Sequence, residues 1–556
     1  MKKYHLFIFI LLGFGCSKKQ DITPPPPPGS FYISSLKVND QPASTGNNFY
    51  SVTIHPVIKI SFTAPVDHAS VNNNFSLAKN TGVTTPLNIS YQNMDSTLII
   101  QTTGNLQSIS KYILTLTTGV QSKQGVVLNA NSINNLITAI DSSDKFPILT
   151  DNALLDKVQH QTFNYFWDFG HPVSGMARER NSSGDLVTTG GTGFGIMAIV
   201  TAVNRNFITR ADGTARILKM ADFLINNCTR YHGAFAHWIN GATGATIPFS
   251  NDDNGADLVE TSYLMQGLIT ARQYFNTSDA TETNLRNKIN ILWNGVDWNW
   301  FRQGGQNVLY WHWSQDKAWI INAPVKGWNE ALITYVIASS SLTNAIPRIA
   351  YDNGWAANGA MKNNNFYFGY QLPLGPNLGG PLFFEHYSFM GINPKGLSDA
   401  YANYDTQTIN HTKINYKYCI SNPHNYYGYS ANCWGLTASD VPAPIYYNAN
   451  EPNNDIGVIT PSAALSSFPY TPVESMQALK FFYYKLGDKI WGQYGFIDAF
   501  KLSDPWFADS NLAIDQGPII VMIENYRTGL LWNLFTGAPE IKAGMLNLGF
   551  KAPYLN

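Results

Sequence analysis

The sequence predicts a mainly α-helical protein, an (α/α)6 toroid or barrel preceded by a small all-β sandwich. From Phe31 to about Ala139, alternating segments such as "VIKISF" and "YILTLTT" are separated by turns rich in Asn, Gly and Asp, which is typical of sandwich strands. From about Asp151 onward, apolar residues recur at three- and four-residue intervals, which indicates helices. About a dozen helices in about 400 residues, joined by long loops, suit a ring of helical hairpins.

Eight segments carry the clearest helical periodicity. In each of them the apolar residues fall on one stripe of a helix, and none is long and apolar enough to be a transmembrane helix. The predicted helices are Ala153–Trp167, Gly193–Asn204, Ala215–Asn226, Ala256–Phe275, Glu282–Trp293, Asn329–Ser339, Val473–Tyr484 and Ile519–Phe535.

The N-terminus resembles a lipoprotein signal peptide. Two lysines precede a short apolar run, which is followed by Gly15 and Cys16, so we expect cleavage before Cys16 and a lipid on that cysteine. Five prolines, Pro24–Pro28, then favour a stiff spacer. The predicted organisation is a signal peptide at 1–16, a Pro-rich linker at 17–30, an Ig-like β-sandwich at 31–140 and the helical domain at 147–556. The predicted location is the cell envelope, with membrane contact through the lipid alone.

The composition excludes some partners and favours others. Only 13% of the residues are charged, 13% are aromatic and the net charge is −1, so the chain offers no electrostatic field for nucleic acid or for an anionic membrane. A surface poor in charge and rich in Asn, Gly, Tyr and Trp favours a neutral ligand such as carbohydrate. We expect a monomer.

Three cysteines follow Cys16, namely Cys228, Cys419 and Cys433, and none has the CxxC spacing of a metal site. Because the number is odd, at least one thiol stays free. A disulfide between Cys419 and Cys433 and a set of buried free thiols are both compatible with the sequence.

The stretch "SNDDNGADLVETSYLMQG", residues 250–267, crowds carboxylates at the start of an apolar helix. An EF-hand calcium loop is excluded, because placing Gly255 sixth puts Ser250 first and Thr261 twelfth, where Asp and Glu are required. Helix capping by Asp252, Asp253 or Asn254 needs only one or two acids.

Capping therefore leaves the rest of the acidic stretch unexplained. Asp253, Asp257 and Glu260 are spaced i, i+4 and i+7, so a helix starting by Asp253 would place them on one stripe, where they repel one another. A polar cleft that grips hydroxyl groups accounts for such a stripe better than stability does.

Other candidate residues have competing structural explanations. Glu330 in "GWNEALITYV" is predicted in the first turn of a helix, and Asp515 in "AIDQGP" fits an N-cap better than a catalytic group. Glu385 and His386 form a polar pair in the apolar run "GGPLFFEHYSFMG". "NPHNYYGYSANCWGLTASD" supplies aromatic and amide side chains of the kind that contact sugars, although loop scaffolding explains them too.

Together these segments resemble the glycoamylase-like domain, specifically glycoside hydrolase family 144, the bacterial β-1,2-glucanases. The resemblance covers Asp151 to the C-terminus and implies an (α/α)6 fold, hydrolysis of β-1,2-glucan with inversion, and no metal or organic cofactor. Internal cleavage and removal of sophorose from a chain end both occur among such enzymes. The resemblance rests on "TGGTGFGIMAI", "DNGADLVETSYLMQGL", "GWNEALITYV", "PLFFEHYSFMGINP", "NPHNYYGYSANCWGLTASD" and "SAALSSFPYTPVESMQAL".

Residue roles follow from the resemblance together with the needs of inverting hydrolysis. Glu330 is the expected general acid and Asp515 the expected base, acting directly or through a water or hydroxyl, while Asp257 competes for either role. Asp253 and Glu260, with Asp257, are expected to hold the sugar. Further expected cleft contacts are His237, Trp311, Trp313, Trp328, Glu385, His386, Tyr427 and Trp434.

Alternatives of other kinds remain open at this point. A hydrolase of another glucan linkage is the strongest, because a fold does not select a linkage. A non-catalytic glycan-binding lipoprotein would keep the aromatic residues without needing Glu330 and Asp515. A polysaccharide lyase on the same fold would favour a basic cleft, against which the acid-rich motifs argue.

Overall fold

The computed structural model describes residues 29–555 and divides into two compact units, with the boundary between Thr138 and Ala139. The predicted signal peptide, Cys16 and the linker up to residue 28 lie outside the described residues. Across the described part of the chain, no helix is both long and apolar enough to cross a membrane.

The first unit consists of two four-stranded sheets and one short helix, His68–Asn72, which Asp67 caps. The alternation seen in the sequence sets the inner faces: in "VIKISF", Ile58, Ile60 and Phe62 are buried and the residues between them are half-buried. The all-β prediction for this unit is thus confirmed, with the short helix as an addition. In spatial order, one sheet contains Ile33–Val38, Val57–Phe62, Thr97–Thr102 and Leu87–Gln92, and the other contains Asn48–Val52, Ser132–Thr138, Lys111–Leu116 and Phe75–Lys79.

All neighbouring strands in these two sheets are antiparallel except Asn48–Val52 and Ser132–Thr138, which run parallel. Side chains from both sheets form one apolar core.

The second unit is mainly helical, as predicted. Its α-helices are Asp151–Trp167, Thr189–Asn204, Arg210–Asn226, Leu258–Tyr274, Ala280–Asn294, Leu332–Ser340, Tyr404–Ser421, Pro461–Leu465, Pro472–Ile490, Ala513–Thr528, Leu530–Gly537 and Pro539–Asn547. Short strands within the loops are Leu186–Thr188, Trp238–Asn240, Thr246–Ile247, Ala256–Asp257, Leu309–Tyr310, His312–Trp313, Pro324–Val325, Phe366–Tyr367, Tyr370–Gln371, Ala438–Asp440, Tyr447–Ala449, Trp491–Gly492, Gly495–Phe496, Phe500–Lys501 and Trp506–Phe507.

The structure corrects two aspects of the predicted helices. The segment predicted as one helix, Ile519–Phe535, is two helices, because Gly529 adopts the left-handed conformation (φ 71°) and ends the first. Tyr404–Ser421 was not predicted, because much of its buried face is polar and includes Gln407, His411 and Asn415, so the apolar period is weak.

The structure decides between a Cys419–Cys433 disulfide and buried free thiols. Cys228, Cys419 and Cys433 are all buried and free. Burial raises the pKa of the Cys228 thiol to about 12, so this thiol is unreactive at neutral pH.

A group of buried helices forms the centre of the helical unit. Thr189–Asn204 packs against both Leu258–Tyr274 and Ala513–Thr528. Leu332–Ser340 packs against the second of these three helices, and Pro461–Leu465 packs against the third. Their side chains are buried almost all round, which explains why they are apolar on every face rather than along one stripe.

Glycines allow two of these central helices to touch. A Cβ atom at Gly193 would lie 2.1 Å from the carbonyl oxygen of Tyr263, and one at Gly267 would lie 2.2 Å from the carbonyl oxygen of Gly193. The sequence "TGGTGFG" therefore reflects backbone contact between helices.

This contact generates a stability prediction. Gly193→Ala should lower the free energy of unfolding by about 3 kcal/mol, the upper end of overpacking costs, because Cβ meets backbone that cannot rotate away. Gly537→Ala is the matched control, since nothing lies within 4 Å of its Cβ position. Urea unfolding followed by circular dichroism measures both variants, and equal midpoints for the two would contradict the prediction.

Candidate active site

One cavity of about 680 Å³ lies where four of the central helices begin. Thr188, Asp257, Ala331 and Leu512, which are the N-cap residues of those helices, all line it. Each helix N-terminus carries unpaired N–H groups and about half a positive charge. The cavity therefore favours oxygen atoms and negative charge, which explains how a protein with few charges collects acids here.

Asp257 organises one wall of this cavity. Its Oδ1 accepts the N–H of Glu260 (2.8 Å), and its Oδ2 lies 2.9 Å from Nδ1 of His237. The helix begins at Leu258, so the predicted capping by Asp252, Asp253 or Asn254 is wrong.

The predicted helical stripe is corrected for the same reason. Asp253 lies in the preceding loop, while Ala256–Asp257 pairs with the strand His312–Trp313. The loop nevertheless brings Asp253 within electrostatic reach of Asp257 and Glu260, so the three acids do cluster.

Glu260 lies in the first turn and points at the neighbouring helix. Its Oε2 accepts the N–H of Gly190 (2.6 Å) and the hydroxyl of Thr188 (3.2 Å), so it caps the helix Thr189–Asn204 from outside. A Cβ at position 190 would lie 2.7 Å from that oxygen, which requires glycine there. Burial raises the pKa of Glu260.

His237 supplies positive charge among these acids. Burial alone would lower the pKa of His237, but Glu260, Asp257 and Asp253 raise it to about 9. His237, Asp253 and Asp257 place three ligand atoms within 4.8 Å of one another, a spacing that suits a cation. The proton on His237 already provides a positive charge at that point.

Asp253 is buried with an incomplete set of partners. Its Oδ1 lies 3.6 Å from Nε2 of His312, and its Oδ2 meets no hydrogen-bond donor among the described residues. Burial, and then the charge of Asp257, raise the pKa of Asp253 to about 7. Asp253 is not among the residues that line the cavity, so the structure places this expected sugar contact beside the cavity rather than at its surface.

Glu330 lies at the cavity in a turn that ends just before the helix Leu332–Ser340, and not in its first turn as predicted. The hydroxyl of Ser388 donates to the carbonyl of Glu330 and accepts the N–H of Ile333 (3.0 Å), which fixes this turn. Burial, followed by the charges of Asp257 and Glu260, raises the pKa of Glu330 to about 7.

Asp515 is the third residue of its helix, and Leu512 is the N-cap, so the predicted capping role is wrong. Ser462 donates its hydroxyl to Oδ1 of Asp515 (2.8 Å). Burial raises the pKa of Asp515 to about 7. Asp515 lies behind the cavity wall, because Leu512 and Ile514 line the cavity and Asp515 does not.

Of three tryptophans expected to contact the sugar, one lines the cavity and two do not. Trp311 lines the cavity. Trp313 packs at right angles to the rings of His232 and Trp300 and is not part of the lining. Trp328 is buried, so it cannot serve as a stacking surface, and its indole N–H instead donates to Oε1 of Glu385 (3.2 Å).

The expectation that Glu385 and His386 contact substrate is corrected as well. Glu385 is fully buried and pairs with His411 (2.8 Å). His386 lies 3.0 Å from the hydroxyl of Ser467, and burial lowers its pKa to about 3. Both side chains have protein partners in the core and no access to the cavity.

Trp434 and Tyr427 do not line the cavity either. Trp434 is fully buried and donates its indole N–H to the carbonyl of Glu474 (3.3 Å), so its expected stacking role is corrected. Tyr427 is half-buried and lies outside the lining.

The sequence analysis missed several lining residues, namely Glu179, Arg180, Trp238, Phe249, Tyr387 and Tyr447. Arg180 pairs with Glu179 (2.8 Å) and with Asp440 (3.0 Å). The run "MARERN" carried a signal, because three consecutive charged residues are unusual in a chain with only 13% charged residues. The aromatic residues come from separate loops, and nothing local marks them.

Both units of the chain are similar to known protein families. The Glycoamylase family model matches residues 322–539, and the bacterial Ig-like domain model matches residues 38–137. The endo-β-1,2-glucanase of Chitinophaga pinensis, solved with sophorotriose and glucose, is 47% identical. That match covers 73% of this chain and 100% of the glucanase, with a TM-score of 0.71. The chain belongs to the glycoamylase-like family, glycoside hydrolase family 144.

Two matches from Parabacteroides distasonis extend the comparison. An exo β-1,2-glucooligosaccharide sophorohydrolase acting at the non-reducing end is 45% identical over 426 residues, which are 73% of this chain and 58% of that protein. This family 144 chain therefore matches little more than half the length of that relative. A β-1,2-glucanase structure is 37% identical, with 93% of this chain and 74% of that chain covered and a TM-score of 0.70.

Because buried acids have raised pKa values, we predict that the free energy of unfolding depends on pH. Because the pKa of Asp253 rises from 3.8 to about 7 on folding, the unfolded chain releases this proton at lower pH than the folded protein does. Stability thus falls as the pH rises through that interval. Asp253→Asn removes the loss, so its melting temperature should exceed that of the wild type by about 2–4 °C at pH 8, with little difference near pH 4.

Thermal unfolding at several pH values measures this effect. Asp252→Asn is the matched control, because Asp252 is largely exposed and pairs with Lys317. A gain for Asp253→Asn that stays constant with pH would contradict the assignment.

Proposed function

We propose that this protein is an inverting endo-β-1,2-glucanase that releases sophorose and short β-1,2-glucooligosaccharides. The observation that carries the proposal is a pair of buried carboxyl groups, Glu330 in the lining of one aromatic-lined cavity and Asp515 directly behind its wall, each with its pKa raised to about 7. Similarity to β-1,2-glucan hydrolases over the whole helical unit supports the substrate.

Glu330 is the proposed general acid. It faces the cavity and remains largely protonated up to neutral pH, because its pKa is raised to about 7. Its carboxyl group can therefore donate a proton to the glycosidic oxygen as the bond breaks. Ser388 holds the turn that carries it.

Asp515 is the proposed general base. Because its side chain lies behind residues that line the cavity, it acts through an intervening water or substrate hydroxyl rather than by direct contact with the anomeric carbon. Asp257 competes for acid or base work, since it lines the cavity directly. Its carboxylate, however, already holds His237 and caps a helix, which favours a binding role.

The remaining acids and aromatic rings form the proposed sugar-binding surface. Asp257 and Glu260, which line the cavity, offer acceptors to glucose hydroxyl groups, and these hydroxyls relieve the repulsion among the carboxylates, including the neighbouring Asp253. Trp311, which lines the cavity and is only half-buried, presents an aromatic face suited to stacking on a pyranose ring. The hydroxyl groups of a bound glucan would donate hydrogen bonds to these carboxylate oxygens.

The proposed arrangement of the helices is the complete (α/α)6 barrel. The buried central helices, with their N-termini at one cavity, form the inner ring in this proposal, and the other helices cover them. Exo removal of sophorose is the second candidate function, which the 45% identical sophorohydrolase favours. Endo action is favoured by the glucanase whose full length this chain covers.

Product analysis tests the substrate and the mode together. Mature protein incubated with linear β-1,2-glucan should yield a ladder of β-1,2-oligomers at early times, because internal cleavage produces mixed lengths. Sophorose alone from the first time point would replace endo with exo action. Laminarin, starch and β-1,4-glucan are the controls: cleavage of one of these but not of β-1,2-glucan would overturn the substrate, and no cleavage at all would favour a glycan-binding protein.

Substitution tests the acid. Glu330→Gln should lower kcat on β-1,2-glucan by about 10²- to 10⁴-fold, the usual contribution of a general acid, with little change in KM. The amide keeps the size of the side chain but has no proton to donate. Asp252→Asn, an exposed carboxyl-to-amide change, serves as the control and should retain full activity. Near-normal turnover of Glu330→Gln would move the acid role to Asp257.

A further inference from the structure

Asp498 is a buried carboxyl group that the proposed mechanism has not yet used. It is 2% exposed, and its Oδ2 accepts the N–H of Asp440 (2.6 Å). Its Oδ1 meets no donor among the described residues. A buried ionised carboxylate in this state would carry a large desolvation cost.

Asp515 also has one carboxyl oxygen without a hydrogen-bond donor. Ser462 serves its Oδ1, but Oδ2 of Asp515 finds no N–H or O–H donor in the described part of the chain. Asp498 and Asp515 lie close enough for each to act on the pKa of the other, and each is buried with one oxygen lacking a donor. Two carboxylates cannot bond to each other, because both are acceptors. A single proton between them satisfies both orphaned oxygens.

We propose that Asp498 is a positioning residue that carries this proton and donates it as a hydrogen bond to Asp515, which keeps Asp515 ionised as the base. This inference rests on the proposed function, which assigns Asp515 its role. When Asp515 takes a proton from water, the pair holds two protons, and one is then released to solvent.

The direction of proton sharing follows from the surroundings. Burial and the neighbouring acids raise the pKa of Asp498 well above its usual range, and the bond to Asp515 raises it further. Burial also raises the pKa of Asp515, while the hydroxyl of Ser462 and the bond from Asp498 oppose that rise. The charged and titratable groups that act on the pair are Glu179, Asp440, Tyr387 and Tyr447, and Arg180 holds the first two.

Two substitutions separate proton donation from packing. Asp498→Asn keeps an N–H donor for Asp515 and an acceptor for the N–H of Asp440, so kcat/KM on β-1,2-glucan should stay within about threefold of wild type and the acid limb of its pH profile should not move. Asp498→Ala removes the donor, so the acid limb should move up by about one to two pH units and kcat/KM near pH 6 should fall about tenfold or more.

The controls are Asp509→Asn and Asp509→Ala, because Asp509 is exposed on the same loop and should leave the profile unchanged. Circular dichroism confirms that each variant is folded. An acid limb of Asp498→Ala that matches the wild type would overturn the proposal, and so would equal losses in Asp498→Asn and Asp498→Ala with unchanged pH profiles.

A second measurement does not depend on activity. The infrared difference spectrum between wild type and Asp498→Asn at pH 7 should contain the C=O band of one protonated carboxyl group. If that band is present but β-1,2-glucan is not cleaved, the proton-sharing pair stands and the proposed function fails. If the band is absent, the pair is wrong whatever the substrate.

Discussion

The meeting of four helix N-termini at one cavity is the constraint on which the rest of the site depends. Thr188, Asp257, Ala331 and Leu512 cap these helices and line the cavity, so the partial positive charges of four helix ends face inward and attract the acids that cap them, such as Glu260 at the N–H of Gly190. Only Asp257 caps with its own side chain. The convergence lets a chain with 13% charged residues bury several carboxyl groups together, at a cost that the helices partly offset.

Close helix packing is a condition for that convergence. Gly193 and Gly267 bring two helix backbones into contact, and Gly190 leaves room for Glu260 to reach a neighbouring N–H. A larger residue at any of these positions would separate the helices whose N-termini meet at the cavity. The glycines of "TGGTGFG" therefore affect the site indirectly, because they set the spacing of the helices that carry its residues.

Much of this organisation could be predicted from the sequence, because the informative signals were local. Carboxylates at the start of apolar helices identified Asp257, Glu260 and Glu330, and all three line the cavity. The periodicity located most helices to within a few residues. Asp515 was found through the family resemblance rather than through its local pattern, which favoured an N-cap.

The failures have physical causes. Glu385 and Trp434 lie in segments that are as apolar as those around the cavity, and a sequence does not distinguish a cavity wall from a core. Trp328 adjoins the acid segment but turns inward to Glu385. Tyr387 and Tyr447 reach the cavity on loops far apart in sequence, so only the fold brings them together.

The balance of charge around the cavity explains the class of ligand it suits. Among the described residues, His237 supplies positive charge beside Asp253, Asp257 and Glu260, and the last two acids in turn act on Glu330. Arg180 pairs with Glu179 and Asp440 in a second acidic group, whose charges also act on Asp515. Because acids outnumber cations on both sides, several must retain protons when the cavity is empty, and an anionic polymer would add to the repulsion. A neutral glycan instead brings hydroxyl groups that donate hydrogen bonds to the carboxylate oxygens. The cavity can therefore bind it without additional positively charged residues.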